Sequence, residues 1–182
     1  MTKISKNILL ISGSGRNAGK TSFILKVLET NSQTQVAAIK ITPHFHEPTT
    51  GLISIAVTEN YRIFQETNGT SSKDSSRFLL AGAERVFYIQ TTDRFLDEAF
   101  CRTTEHLLPG QPVIVESAHL RKFIVPGLYL FIQKTNETAK PLAQEMQQLA
   151  DETVFSEDCE FSLNPKSVLF KSYWKINTHD IH

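Results

Sequence analysis

At 182 residues, with 40% hydrophobic and 21% charged side chains, the chain has the size and composition of one domain (1–182) with its own core. Nineteen basic residues balance nineteen acidic ones, so no electrostatic argument points to nucleic acid or an anionic membrane. The longest apolar runs, such as residues 125–132, are far too short to span a bilayer, and the N-terminus lacks a signal-peptide pattern, so a cytoplasmic protein is expected. Cys101 and Cys159 are far apart and lack a metal or redox spacing; they read as reduced thiols, with a disulfide between them as the alternative.

Strand-like and helix-like segments alternate. Residues 7–12 form a continuous apolar run, the pattern of a strand buried on both faces. From Lys20, the residues Phe23, Ile24, Val27 and Leu28 fall on one helical face. Residues 35–41 read as a second strand, followed by the long polar connection TPHFHEPTTG. Residues 52–57 and 61–65 read as a hairpin turning through Thr58-Glu59-Asn60, within an insertion at about 48–70. Residues 71–83 read as a capped helix that Gly82 ends, 85–90 as a strand, and 93–108 as a helix stopping before Pro109-Gly110. Residues 112–115 and 128–132 are short apolar strands. Residues 141–150 form a helix with Pro141 in its first turn and Leu142, Met146, Leu149 and Ala150 facing inward. The last thirty residues show no pattern. This alternation predicts an α/β fold of three layers, a mostly parallel sheet with helices on both faces and an inserted β-hairpin. The hairpin is either a dimer surface or a blunted edge.

The stretch LLISGSGRNAGKTSFILKVL joins the first strand to the first helix. Small residues let backbone N–H groups curl around a phosphate, and the following helix points its positive end at the same spot. Gly13, Ser14, Gly15, Arg16, Asn17, Ala18, Gly19, Lys20, Thr21 and Ser22 are therefore the candidate phosphate cradle. Lys20 supplies a cation for the outer phosphates, and Thr21 offers a hydroxyl to magnesium. The strict motif puts four residues between its glycines. Here five separate Gly13 from Gly19, with Ser14 at the strict first position. This longer loop resembles that of dethiobiotin synthetase and its relatives in the P-loop NTPase class.

The second strand ends in AAIKITPHFH, which sets Lys40 at the carboxyl end where open α/β sheets bind ligands. His44 and His46 are two apart, and with no third ligand in view they read as solvent-facing loop residues rather than a metal site. Asp74, Arg77 and Ala81 share a helical face. Asp74 either caps its helix or touches hydrated magnesium, with Arg77 on an anionic ligand. Glu116 ends the strand VIVE beside the loop. It holds a magnesium-bound water, orients the attacking water, or is a salt-bridged rim carboxylate. Gln133-Lys134-Thr135-Asn136 faintly resembles the guanine reader of GTPases but lacks the carboxylate that accepts both guanine N–H groups, and reads as an ordinary loop.

Lys40 with its His-containing loop, then Asp74-Ser75-x-Arg77-x-x-x-Ala81-Gly82-Ala83, then a strand ending in Glu116, resembles the MobB proteins over roughly residues 6–135. These are accessory GTP-binding proteins of molybdopterin-guanine dinucleotide biosynthesis. The chain departs from that pattern in its five-residue loop spacing, in Ser76, Leu80 and Ser117, and in the length of the connection from Ile41 to Asp74. The resemblance implies slow, magnesium-dependent hydrolysis of GTP (or ATP), with Lys20 and Glu116 catalytic, Thr21, Asp74 and Glu116 around the metal, and Lys40 and Arg77 on the nucleotide. It also implies a molybdopterin guanylyltransferase-type partner. Two alternatives stand beside it. One is an ATP-dependent small-molecule kinase or ligase similar to dethiobiotin synthetase, favoured by the longer loop and Lys40-x-x-Pro43. The other is a non-catalytic nucleotide-binding interaction protein, against which the intact Lys20, Thr21 and Glu116 speak.

Overall fold

The computed structural model describes residues 3–158 and 160–177. The reading of Cys159 lies outside them. Eight strands and a short ninth form one mixed, mostly parallel sheet in an α/β fold. The elements are β1 (Lys3–Gly13), α1 (Lys20–Thr30), β2 (Ala37–Thr42), β3 (Leu52–Val57), β4 (Tyr61–Glu66), α2 (Asp74–Leu80), β5 (Arg85–Thr91), α3 (Leu96–Thr104), β6 (Val113–Glu116), β7 (Ile124–Lys134), α4 (Pro141–Gln148), β8 (Glu152–Glu157) and β9 (Glu160–Phe161). A separate ribbon pairs β10 (Val168–Phe170) with β11 (Trp174–Ile176).

The strand order is β3-β4-β5-β2-β6-β1-β7-β8-β9. β1 lies between β6 and β7, parallel to both. That central position explains its unbroken apolar run, because both of its faces are covered. Leu9 and Ile11 pack with Phe23, Ile24, Val27 and Leu28 of α1 and Phe78 of α2. Ile8 and Leu10 pack on the other side with Leu96, Ala99 and Phe100 of α3. α4 covers the same side further along, where Met146 meets Phe131. From β1 the chain moves to β2 and β5 on one side. It returns through β6 between β2 and β1, then continues to β7 and β8 on the other side. The direction of succession reverses at β1, so the carboxyl ends of β1, β2 and β6 part to leave a crevice.

The hairpin is present, and β4 pairs antiparallel with β5, so β3 forms the sheet edge. The predicted end of α2 holds. Gly82 sits at φ +97°, its N–H donates to Leu79 O and the Ala83 N–H to Phe78 O, closing the last turn in a Schellman motif.

Four expectations change. The helix expected over 93–108 is a 3-10 turn (Asp93–Phe95) followed by the shorter α3. Beyond Thr104 the His106 and Leu107 N–H groups reach back only three residues, so the helix unwinds. α4 buries Met146, whereas Leu142 and Leu149 are exposed at 38% and 44%, because this eight-residue helix meets the sheet along a narrow strip. β7 begins at Ile124, ahead of Leu128, since a register shift in β1 between Ser5 and Leu9 accommodates Pro126 and Gly127. The patternless C-terminus forms β8 to β11. Trp174 is buried, and its Nε1–H donates to Asn7 O at 2.8 Å. Asn31 at the end of α1 donates to Val168 O and accepts from the Phe170 N–H, tying the ribbon to the helix.

Gly127 lies against β1 so closely that an added Cβ would stand 2.2 Å from Lys6 O. Gly127→Ala is therefore expected to destabilise the protein by about 1–3 kcal/mol in denaturant unfolding, since only backbone movement relieves the clash.

Candidate functional site

β1 ends at Gly13, β2 at Thr42 and β6 at Glu116, so three carboxyl ends meet at one place. The loop from Gly13 to Gly19 arches over them before α1 begins at Lys20. Local geometry explains its small residues. A Cβ on Gly13 would stand 2.6 Å from Ile132 O. Gly19 has φ +89°, and a Cβ there would stand 2.7 Å from Ser156 Oγ and 3.0 Å from Phe161. Asn17 also has a positive φ of 58°, and Ala18 is fully buried. The loop is thus pressed onto β7, β8 and β9 from behind and leaves its front open. No side chain caps the first turn of α1, and its first turn carries no acidic residue. Its N-terminal N–H groups are available to an anion.

A cleft of about 680 Å³ opens in front of the loop. Gly13, Gly15, Arg16, Asn17, Ala18, Gly19, Lys20, Thr21 and Ser22 line it, together with Lys40, Asp74, Arg77 and Glu116. Ser14 is the exception among the expected cradle residues. Its N–H donates to Ile132 O at 3.0 Å and its hydroxyl accepts from the Lys134 N–H at 3.2 Å, so it anchors the loop to β7. The extra residue of this loop is therefore spent on attachment. Ser12, Thr42, Ser117 and Ala118 also line the cleft; sequence reasoning passed over them because small residues at strand ends carry no motif of their own. Ser12 Oγ and the Tyr129 hydroxyl share a hydrogen bond of 2.6 Å at its floor.

The charged groups form one cluster. Lys40 on β2 and Glu116 on β6 are register partners, so their side chains rise side by side from the same face. The Lys40 ammonium donates to Glu116 Oε1 and stands 3.0 Å from Asp74 Oδ2. Arg77 lies 3.7 Å from Asp74 Oδ1. Asp74 does not cap α2; it is the first helical residue, and Lys73 holds the cap position. Glu116 is 4% exposed, and its Oε2 is buried with no hydrogen-bond partner. A buried carboxylate oxygen without a donor is costly, so the group is shaped for a ligand or cation.

The two lysines differ. Burial works against the charge on Lys40, but Glu116 and Asp74 outweigh it and raise its pKa. Burial lowers the pKa of Lys20; Lys40 adds to that effect, while Glu116 and Asp74 oppose it. The Lys20 ammonium donates to Gly15 O at 2.6 Å across the mouth of the loop.

Thr21, Asp74 and the unpartnered oxygen of Glu116 are hard oxygen donors of the kind magnesium takes. Among the described residues no three His, Cys, Asp or Glu side chains converge as a metal cage. Magnesium needs none, since it binds through one or two carboxylates, water and phosphate. His44 and His46 are both exposed on the loop after β2. The 133–137 loop lies apart from the cleft. Gln133 Nε2 donates to Lys134 O and Glu137 O, and the loop lines another cavity with α4.

The chain matches no protein-family model, and neither the curated proteins nor the solved structures contain a significant match to it. Among the described residues no helix is long and apolar enough to cross a membrane.

Proposed function

We propose that this protein binds a magnesium–nucleoside triphosphate in the cleft and hydrolyses it slowly. One observation carries the reading: Glu116, whose buried Oε2 has no hydrogen-bond partner, lines the same cleft as the glycine-rich loop, Lys20 and Thr21. Loop N–H groups and the start of α1 bind the phosphates. Lys20 exchanges Gly15 O for the outer phosphates, which restores solvation to an ammonium that burial disfavours. Thr21 and Asp74 would hold the metal, which would supply neutralisation of charge on the phosphate oxygens. Glu116 orients the attacking water, and Arg77 meets the nucleotide's anionic edge.

GTP is the nucleotide, and an accessory role beside a molybdopterin guanylyltransferase is the setting, that the MobB resemblance supports. Titration with fluorescent GTP and ATP analogues in magnesium tests this: selective GTP binding is expected, and selective ATP binding overturns the GTP assignment. A second reading, an ATP-dependent enzyme with a small-molecule substrate, draws support from a further cavity that adjoins the cleft at Lys40 and Asp74. The open edge of β3, where Ile53 and Val57 are exposed, is the surface that self-association through the hairpin would use.

Glu116→Gln keeps the shape of the site but removes the charge. Nucleotide affinity is expected to change little, while single-turnover hydrolysis falls by about 10²-fold or more. Unchanged hydrolysis would take Glu116 out of the chemistry.

A further inference from the structure

The polar connection between β2 and β3 looks like loose loop in sequence, yet the fold holds it firmly at both ends. Gln90 of β5 is fully buried and grips His46 twice, accepting from its N–H at 3.3 Å and donating to its carbonyl at 3.0 Å. At the other end Gly51 has φ +99°, and its carbonyl accepts from both the N–H and the hydroxyl of Thr67 at 2.8 Å. A side chain at Gly51 would collide with Asn68, whose Cβ lies 2.3 Å from the position of an added Cβ. Across from this loop the start of α2 is fastened to β4, where Ser75 Oγ donates to the buried Glu66 at 2.7 Å. Tyr88 of β5, stacked on Phe64, forms part of the wall between them.

These pieces enclose a cavity of about 250 Å³. It shares Lys40, Thr42 and Asp74 with the phosphate cleft, so the two chambers meet at the Lys40–Asp74 pair. Its charges are unevenly satisfied. Glu47 pairs with Arg62 at 3.9 Å and its side chain is 93% exposed. Asp74 already faces Lys40 and Arg77. Among the described residues Lys73 has no ion-pair partner, and His46 sits on the same rim. Hydroxyls of Thr42, Thr49 and Tyr88 supply further donors, and Leu52 gives one apolar wall. The chamber is preformed, small and polar; its two lysines match Glu47 and Asp74 in number, and Lys73 is the lining cation left for a ligand, which suits a metabolite-sized anion.

We propose that this second chamber binds a small organic carboxylate, held by Lys73 and the Thr42, Thr49 and Tyr88 hydroxyls beside the nucleotide's terminal phosphate. Its place as a second-substrate site rests on the nucleotide reading; its anion binding does not. Sharing Lys40 and Asp74 also couples the two ligands, and the coupling is reciprocal.

Amide-resolved NMR of the full chain tests this, with malonate as the probe and malonamide as its neutral counterpart. The titration is run with the phosphate cleft saturated by magnesium and a non-hydrolysable nucleotide. Malonate is expected to move the Thr42, Thr49, Leu52, Lys73 and Ser75 amides saturably, and malonamide is not. Lys73→Ala should weaken malonate by about fivefold, the effect of one partly exposed ion pair, and leave nucleotide affinity unchanged. Lys73→Arg should retain binding. No saturable response to malonate, an equal response to malonamide, or full affinity in Lys73→Ala would overturn the assignment. The nucleotide reading is checked separately in the same spectra: if the Gly15–Ser22 amides stay unmoved when nucleotide and magnesium are added, that reading fails while the malonate response is still measured.

Discussion

Lys20→Ala is expected to weaken magnesium–nucleotide binding about ten- to a hundredfold and to abolish turnover. The lost interaction is a charge-assisted hydrogen bond, worth about 1.5–3 kcal/mol. A fluorescent-nucleotide titration measures it, and unchanged binding and hydrolysis would sink the nucleotide reading. Unfolding of the ligand-free protein supplies a second readout. Burial lowers the Lys20 pKa, so folding disfavours its charged form. Its charge then costs stability at neutral pH, a cost relieved as pH rises toward the ordinary lysine value of about 10.4. Lys20→Met should therefore keep or raise ligand-free stability while losing the ligand.

Lys40→Met should do the reverse. It removes the cation that faces both Glu116 and Asp74 and leaves the buried Glu116 carboxylate without its ion-pair partner. Breaking a buried pair from one side costs about 3–5 kcal/mol. The Lys40 side chain is 19% exposed and that of Asp74 38%, so the lower end, about 3 kcal/mol, is expected in denaturant unfolding. Adding Glu116→Gln should recover most of the loss; no recovery would mean that the cost arises elsewhere. The pH dependence has a defined sign. Since the folded pKa of Lys40 is raised, its contribution is fully present below the unfolded value of about 10.4 and is lost as pH rises through the folded value. The gap between wild type and Lys40→Met should then stay flat from neutral pH to about pH 10. A second consequence concerns metal. In the ligand-free protein the Lys40 ammonium occupies the carboxylates that a divalent ion at this site would need. Removing it should tighten nucleotide-free Mn²⁺ binding by about tenfold or more, equivalent to ~1.4 kcal/mol, as read by electron paramagnetic resonance. Equal Mn²⁺ affinity in the two proteins would show that Lys40 and the ion do not compete.

Much of this site was legible before any fold. The loop announces itself through its glycines, and at Gly13 and Gly19 a side chain would collide with the strands behind. Glu116 and Lys40 were visible as charges ending apolar strands. Their pairing was not, since adjacency depends on β6 returning between β2 and β1. Ser14 was misplaced for a related reason: whether a loop serine faces a ligand or a neighbouring strand depends on β7, more than a hundred residues away. The C-terminal strands carry too little periodicity to read: β9 to β11 are two or three residues long, and the six-residue β8 has only the adjacent Val154 and Phe155 as large apolar residues.

The amino-acid sequence by itself determined the α/β alternation, the central buried strand, the glycine loop and the end of α2, because each rests on local sterics or on a short period of apolar residues. Only the tertiary structure decided that Lys40 neutralises Glu116 and Asp74, that Ser14 serves as an anchor, and that the polar connection after β2 walls a second chamber. Those outcomes depend on strand order and register, through which residues distant in the chain come within a hydrogen bond of one another.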